Sequence, residues 1–442
     1  MLSDLIAALA TASGRSALAV VRISGRDAFV AARRILGWAA DAPTPARQAI
    51  LAPFHEADGT PIDRGLVTFF PGPASYTGED LVEFSCHGGL LVPGQLLAAL
   101  FAAGARLATP GEFTRRAVLN GKIDLIQAEA IGDLVDATTR AQGRGALRQL
   151  DGGLSARLND LRQQLVDLLA LLSYDIDFPE EDDGPVDRGT IQARLGSARA
   201  GIEALLGTAH LGERVRRGAL VVLAGRPNAG KSSLFNALLR VERALVTEVP
   251  GTTRDTIEAD LDLDGWPVRL ADTAGLRDST DRIERLGIAV SRKYLAAADL
   301  TLLCVEAGRR LDDEEASLAA GPSTLVVRTK ADLHPAADGL LVSATTGAGL
   351  PALVRAVVDR LFGEVERFAD LEPMLTRERH RVALTQADLE LVEAMPHLED
   401  DGDAVLAAHH VRRAMASLDE LIGVVDVEEV LGAIFERFCV GK

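Results

Sequence analysis

Near the middle of the 442-residue chain the apolar run Ala219-Leu220-Val221-Val222-Leu223-Ala224 leads straight into Gly225-Arg226-Pro227-Asn228-Ala229-Gly230-Lys231-Ser232. Leu234-Phe235-Asn236-Ala237-Leu238-Leu239 follows at helical spacing. The pattern is a strand, a glycine-rich turn and the first turn of an amphipathic helix, in the G-x-x-x-x-G-K-[ST] spacing of a phosphate-binding loop. The glycines let successive backbone N–H groups converge on a phosphate, and the helix N-terminus adds partial positive charge. Lys231 can reach the β- and γ-phosphates, and the Ser232 hydroxyl can ligate Mg²⁺. Alternating strand and helix patterns continue from 218 to about 362, so this unit predicts a parallel-sheet α/β domain.

The remainder of the chain has a different texture. At this length several domains are expected. Residues 17–23, 66–70 and 81–85 read as β segments, separated by Pro71-Gly72-Pro73 and followed by Gly88-Gly89, and 96–100 reads as helix. The first 120 residues thus predict a mixed α+β domain. From 123 to about 210 apolar residues recur at helical spacing, as in Leu154, Leu158, Leu161, Leu165, Leu168 and Leu172. The acidic stretch 175–183 reads as a solvated loop between helices. Helical patterning resumes after 371, so the α/β unit is inserted into a helical domain. The expected division is 1–120, 121–213, 214–366 and 367–442.

The formal charge of −17 argues against an autonomous nucleic-acid binder, because phosphate contacts need a basic stripe, a local patch or a basic partner. No apolar stretch approaches the length of a membrane span. The first residues lack the basic region of a secretory signal. The odd, scattered cysteines Cys86, Cys304 and Cys439 fit a reducing compartment. A cytoplasmic protein without a membrane partner is expected.

Four further boxes follow the phosphate loop in the order a GTPase requires. Gly251-Thr252-Thr253-Arg254-Asp255 stands where a first switch loop belongs. Asp272-Thr273-Ala274-Gly275 follows the strand at 268–270, its aspartate placed for Mg²⁺ through water and its glycine N–H for the γ-phosphate. Thr329-Lys330-Ala331-Asp332 puts a carboxylate opposite guanine N1 and N2, and Ser343-Ala344 offers an N–H to guanine O6. Adenine would leave that carboxylate unpaired, which selects guanine. The candidate GTP contacts are Asn228, Ala229, Gly230, Lys231, Ser232, Ser233, Thr247, Glu248, Val249, Pro250, Gly251, Thr252, Thr253, Asp272, Thr273, Ala274, Gly275, Thr329, Lys330, Ala331, Asp332, Ser343, Ala344 and Thr345. The base-reading box begins with Thr329 where Asn is usual. Leu276 follows Gly275 where Ras-like enzymes carry a water-orienting glutamine, so charge and water must be managed otherwise. Asn228 offers an oxygen for a monovalent cation beside the phosphates; its plainer role is to stabilise the turn.

On these boxes, and on further stretches outside them, the chain resembles the MnmE family of tRNA-modification GTPases over essentially its whole length. The further stretches are Gly14-Arg15, Val21-Arg22-Ile23-Ser24-Gly25, Phe70-Pro71-Gly72-Pro73, Tyr76-Thr77-Gly78-Glu79-Asp80 and His87-Gly88-Gly89. To these are added Pro110-Gly111-Glu112-Phe113-Thr114, the stretch 117–125, Gln127-Ala128-Glu129-Ala130 and Phe438-Cys439-Val440-Gly441-Lys442. The resemblance implies an N-terminal α+β folate-binding and dimerisation domain, an α-helical domain and an inserted Ras-like P-loop GTPase domain. It implies a homodimer, and an FAD-containing partner, MnmG, in a heterotetramer or larger complex. With that partner it would install an aminomethyl-type or carboxymethylaminomethyl group at C5 of the wobble uridine of tRNA. A tetrahydrofolate derivative, 5-formyl or 5,10-methylene, would give the one-carbon unit, and glycine or ammonium the amine.

Carried over residue by residue, the resemblance implies folate contacts at Arg22, Glu83, Lys122 and Lys442. It implies Mg²⁺ at Ser232 and Thr253, and K⁺ at Asn228, Thr247, Val249 and Thr252. Glu284 matches the position that orients the attacking water in the family; its plainer role is a helix-surface carboxylate paired with a neighbouring arginine. Cys439 reads equally as a small buried hydrophobe or as a thiol near the folate. The competing class is a ribosome-assembly GTPase of the Era or Der type. Such a protein needs a KH-like domain or a second GTPase domain, and neither a Gly-x-x-Gly clamp nor a second phosphate loop is evident. A third reading makes the chain a folate-dependent aminomethyl transferase with a purely regulatory GTPase.

Overall fold

The stretch Leu18–Ser24 alternates buried Ala19, Val21 and Ile23 with more accessible Leu18, Val20 and Arg22, the pattern of a strand with one covered face. In the computed structural model this is β2 of the first of two units. The structure describes residues 4–177, 187–241, 258–272, 293–334, 339–363, 373–399, 402–423, 438 and 440–441. The two units are 1–132 with 419–442, and 133–418. No helix among the described residues is long and apolar enough to cross a membrane.

In the first unit β1 (Ile6–Leu9), β2, β3 (Ile50–His55), β4 (Pro61–Phe70), β5 (Leu81–His87) and β6 (Arg106–Leu107) form one sheet in the order β3-β4-β5-β2-β1-β6. Neighbours are antiparallel except β1 and β6. Helices α1 (Ala28–Leu36) and α2 (Val92–Ala102) bury Ala31, Ile35, Leu96 and Leu100 against Val21, Ile23, Val67 and Phe84 on one face. On the other face Phe113 of α3 (Glu112–Leu119) packs on Ile6 and Ala8. Helix α4 (Leu125–Asp136) follows, and Phe438 packs against its Leu125 and Ala128. The β segments expected at 17–23, 66–70 and 81–85 are β2, β4 and β5; β2 is shifted by one residue, and β4 and β5 are longer than read.

In the second unit α5 (Arg140–Leu150), α6 (Gly153–Asp177), α7 (Arg188–Gly207) and α8 (Ala209–Arg217) precede the second sheet. All six leucines spaced helically from Leu154 to Leu172 are buried. Residues 175–177 extend α6 rather than opening the acidic loop, because the helical pattern continues through Leu172. The rest of that stretch lies outside the described residues.

The second sheet contains β7 (Ala219–Ala224), β8 (Glu258–Leu263), β9 (Trp266–Asp272), β10 (Leu300–Glu306), β11 (Thr324–Thr329) and β12 (Leu340–Leu341), in the order β12-β11-β10-β7-β9-β8. It is parallel except for β8 against β9. Every residue of β7 is buried, with Ala219, Val221 and Leu223 in one core and Leu220, Val222 and Ala224 in cores on the opposite side. That double burial is why this strand reads as a continuous apolar run. Helices α9 (Lys231–Val241), α10 (Asp313–Ala319) and α11 (Leu350–Phe362) belong to the α/β part. Helices α12 (Glu378–Ala394) and α13 (Ala404–Ile422) follow, α12 packing on α7.

The helical and α/β parts of the second unit are joined by specific bonds. Asp299 accepts from Arg214 Nε at 2.8 Å through one oxygen and from the Leu220 N–H at 2.8 Å through the other. The Ala141 N–H at the start of α5 donates to Gly265 O at 3.0 Å.

Candidate functional site

Strands β7, β9 and β11 are parallel members of one sheet, so their carboxyl ends open in the same direction. Such an edge is where open α/β sheets receive ligands. Here β7 delivers the phosphate loop, β9 ends on Asp272 and β11 ends on Thr329. At Gly225 the backbone has φ +134°, and a Cβ there would lie 2.3 Å from Cys304 O, so no other residue fits. Asn228 sits at φ +61°, a region that Asn tolerates better than most residues. Its side-chain amide finds no hydrogen-bond partner among the described residues.

Helix α9 begins at Lys231, which points its N-terminus and unbonded N–H groups at the loop. Lys231 is buried, its Nζ donating to Gly225 O at 2.9 Å and Arg226 O at 2.8 Å. Ser232 Oγ donates to Asp272 Oδ2 at 2.8 Å, so an exposed hydroxyl and a buried carboxylate from elements forty residues apart meet beside the loop. Two hard oxygens at that spot suit Mg²⁺.

At the base end a cavity of about 220 Å³ is lined by Gly230, Ser233, Thr329, Lys330, Asp332, Ala344 and Thr345. Thr329 Oγ1 donates to Ala229 O at 2.7 Å, so the hydroxyl that replaces the usual amide ties β11 to the phosphate loop. The Ala331 N–H donates to Val342 O at 3.2 Å. Buried Ser343 accepts the Thr346 N–H on its hydroxyl at 3.2 Å and the Gly347 N–H on its carbonyl at 2.9 Å, which fixes the turn carrying Ala344 and Thr345. The structure thus gathers Asn228, Ala229, Gly230, Lys231, Ser232, Ser233, Asp272, Thr329, Lys330, Ala331, Asp332, Ser343, Ala344 and Thr345 around one edge of the sheet. Thr247, Glu248, Val249, Pro250, Gly251, Thr252, Thr253, Thr273, Ala274, Gly275, Glu284, Cys439 and Lys442 lie outside the described residues.

Sequence reasoning missed Glu306, whose Oε2 pairs with Lys330 Nζ at 2.9 Å. No local pattern marks it: the pair depends on strand order, which places Glu306 at the end of β10 directly beside Thr329 in the parallel register.

In the first unit Arg22 and Glu83 are cross-strand partners, with Arg22 Nη2 and Nε 2.6 and 2.9 Å from Glu83 Oε1. The Arg22 guanidinium lies 5.5 Å from the Tyr76 ring centre and 5.6 Å from that of Phe113. The Tyr76 hydroxyl bonds the Thr114 hydroxyl at 2.8 Å. Lys122 Nζ donates to Pro73 O at 2.9 Å, on the loop that carries Tyr76. Gly441 packs on β1: a Cβ there would lie 2.2 Å from Leu9 O.

Two family models cover nearly the whole chain. The GTP-binding protein TrmE N-terminus matches residues 5–122, and the MnmE helical domain matches residues 125–439. The tRNA modification GTPase MnmE of Akkermansia muciniphila is 41% identical over 445 residues, covering 99% of this chain and 98% of that protein. The chain belongs to the MnmE (TrmE) family of tRNA modification GTPases. The relatives of the same name from Neisseria meningitidis and Phenylobacterium zucineum are 42% and 43% identical, over 99% and 100% of this chain and 98% and 100% of their own lengths. Solved structures similar to part of the chain include the G domain of the Thermotoga maritima FeoB iron transporter (26% identity, 32% of this chain and 98% of that one, TM-score 0.25). Another is an Aquifex aeolicus Era variant bound to GDP and AlF4⁻ (22% identity, 41% of this chain and 68% of that one, TM-score 0.25). As a member of the MnmE family the chain is a P-loop GTPase that binds GTP and Mg²⁺. It combines an N-terminal α+β domain, a helical domain and an inserted Ras-like GTPase domain.

Proposed function

We propose that this GTPase drives modification of tRNA at C5 of the wobble uridine. It would act in the cytoplasm as a homodimer with an FAD-containing MnmG-like partner, and a tetrahydrofolate derivative would be the one-carbon donor. The observation that carries the reading is likeness at 41% identity to a protein named tRNA modification GTPase across 99% of this chain. The division proposed is a folate-binding and dimerisation domain over 1–120, a helical domain over 121–213 and 367–442, and the GTPase domain between.

In hydrolysis the loop N–H groups and the α9 N-terminus bind the phosphates. Lys231 exchanges the carbonyls of Gly225 and Arg226 for the β- and γ-phosphate oxygens. Ser232 and Thr253 would hold Mg²⁺, with Asp272 behind them, and the ion would neutralise charge growing on the phosphates. Asn228, Thr247, Val249 and Thr252 would hold K⁺ where other GTPases place an arginine. Glu284 orients the attacking water, and Asp332 reads guanine.

The sheet face bearing Arg22 and Glu83 is the proposed folate site. Those two charges neutralise one another at 2.6 Å, so the counter-charge for a folate's acidic tail falls to Lys122 and Lys442. The same face exposes Leu18, Leu51 and Leu66, a surface suited to cover by a second copy.

The test is mass spectrometry of wobble-uridine nucleosides from a strain lacking this protein, complemented with the wild type or with Lys231→Ala. Loss of the C5 modification, restored only by the wild type, is expected. An unchanged nucleoside profile would instead favour the assembly-factor class. Equal GTP hydrolysis in matched K⁺ and Na⁺ buffers would remove potassium from the proposal.

A further inference from the structure

Between the phosphate loop and the base-reading loop runs the connection from β10 to α10, residues 307–312, which no sequence box marks. Each of its ends carries an ion pair to one of those loops. On the phosphate side Arg226 Nη2 lies 2.5 Å from Asp312 Oδ2. On the base side Glu306, the last residue of β10, holds Lys330. The connection itself is braced throughout. Ala307 N–H donates to Thr329 O at 2.8 Å, Arg309 N–H donates to Glu306 O at 3.1 Å, and Arg328 Nη1 donates to Arg309 O at 2.8 Å. Arg309 also pairs with Glu315, whose other carboxylate oxygen accepts the Asp312 N–H at 3.2 Å.

Asp312 divides its two oxygens between different tasks. Oδ1 caps α10 by accepting the Glu315 N–H at 2.9 Å, and Oδ2 faces Arg226. We propose that this connection is a strut joining the two loops of the nucleotide site, and that Arg226 and Asp312 are a positioning pair that holds the phosphate loop open for the nucleotide. The pair touches neither phosphate nor base: it restricts the conformations that Arg226 and its flanking peptides sample, so less order has to be gained when the nucleotide binds. The proposal rests on the nucleotide reading of this edge of the sheet.

The shared carboxylate gives a clean test. Asp312→Asn keeps an oxygen for the cap but removes the charge facing Arg226, and Arg226→Gln removes the other half of the pair. Release of the fluorescent nucleotide mant-GDP from the full-length protein is followed by stopped flow for the wild type, both single variants and the double. Each single variant is expected to release mant-GDP about two- to fivefold faster, the range of a half-exposed ion pair. The double variant should be no faster than the faster single. For Asp312→Asn the KM for GTP should rise while kcat at saturation holds. Asp312→Ala should match Asp312→Asn in release rate and differ from it only by a lower melting temperature, from the lost cap.

Multiplying effects in the double variant, or wild-type release from Asp312→Asn, would overturn the strut while leaving the nucleotide site standing. Failure of the wild type to bind mant-GDP would overturn both.

Discussion

The sheet of the first unit is antiparallel through β3-β4-β5-β2-β1 with a parallel edge strand, whereas that of the second is parallel through β12-β11-β10-β7-β9 with an antiparallel edge. In the first, helices α1 and α2 cover one face and the other stays accessible over β2 to β4, with Leu18, Leu51 and Leu66 at 63%, 58% and 43% exposure. In the second, both faces of β7 are buried. The difference decides where chemistry can sit. An open face admits charged side chains in mid-strand, as at Arg22 and Glu83, whereas a sheet covered on both sides confines its chemistry to the loops beyond the strand ends. On the proposed function, folate and nucleotide would be read by different means: one by side chains standing off a sheet, the other by backbone N–H groups at its edge.

The two tryptophans make this contrast measurable, since Trp38 stacks on Phe69 in the first unit and Trp266 on Phe362 in the second. With the other tryptophan replaced by Phe, each reports the urea unfolding of its own unit. The largest effect is expected in the first unit from Arg116→Met. This guanidinium is 1% exposed and holds Asp4 at 2.8 Å and both Glu79 and Glu112 at 3.0 Å. Its loss leaves the buried Glu112 carboxylate to Arg106 alone and removes a cation from Asp4 and Glu79, and should cost about 3–5 kcal/mol by the Trp38 signal, with the Trp266 transition unmoved. A shift shared equally by both signals would break the separation.

Next in size, Leu223→Ala removes a fully buried side chain from the core on one face of β7 and should lower the Trp266 transition by about 2–5 kcal/mol. A smaller effect is expected from acid. Burial pushes the Glu112 carboxyl up, but hydrogen bonds from Arg106, the Thr109 N–H and Arg116 outweigh it and bring it from 4.5 down to about 2. A lowered folded-state value stabilises above the unfolded one, so this contribution is complete above pH 4.5 and lost as pH falls from there toward 2. The Trp38 transition should weaken over that window, and Glu112→Gln should flatten the dependence. The smallest effect is expected from Leu66→Ala on the accessible face, within about 0.5 kcal/mol at high dilution. A larger loss that grows with protein concentration would show that a second copy covers this face.

What the sequence disclosed follows the same division. The phosphate loop and the leucines of α6 were legible because local pattern dictates them: a glycine turn between two periodic runs, and a repeat held over many turns. Strand β1 was not, because Ile6–Leu9 is short and rich in alanine, and becomes a strand through pairing with β2. The Arg22–Glu83 pairing rests on a register between strands 61 residues apart, and the hold of Glu306 on Lys330 on the order of parallel strands. Thr329 stands where the base-reading box usually has Asn, and its hydroxyl holds Ala229, a partner one hundred residues away that no local pattern reveals.

The seat of Gly441 on Leu9 bears on how such a chain is made. With φ at +107° and Leu9 O 2.2 Å from any Cβ, that contact admits only glycine, and it closes the first unit with a residue synthesised 432 positions after its partner. At ribosomal speeds of about 5–20 residues per second, β1 waits roughly 20–90 s for it. Every described strand of the GTPase sheet is therefore synthesised before the residue that seats on β1, so the second sheet can be complete while the N-terminal unit still lacks that contact.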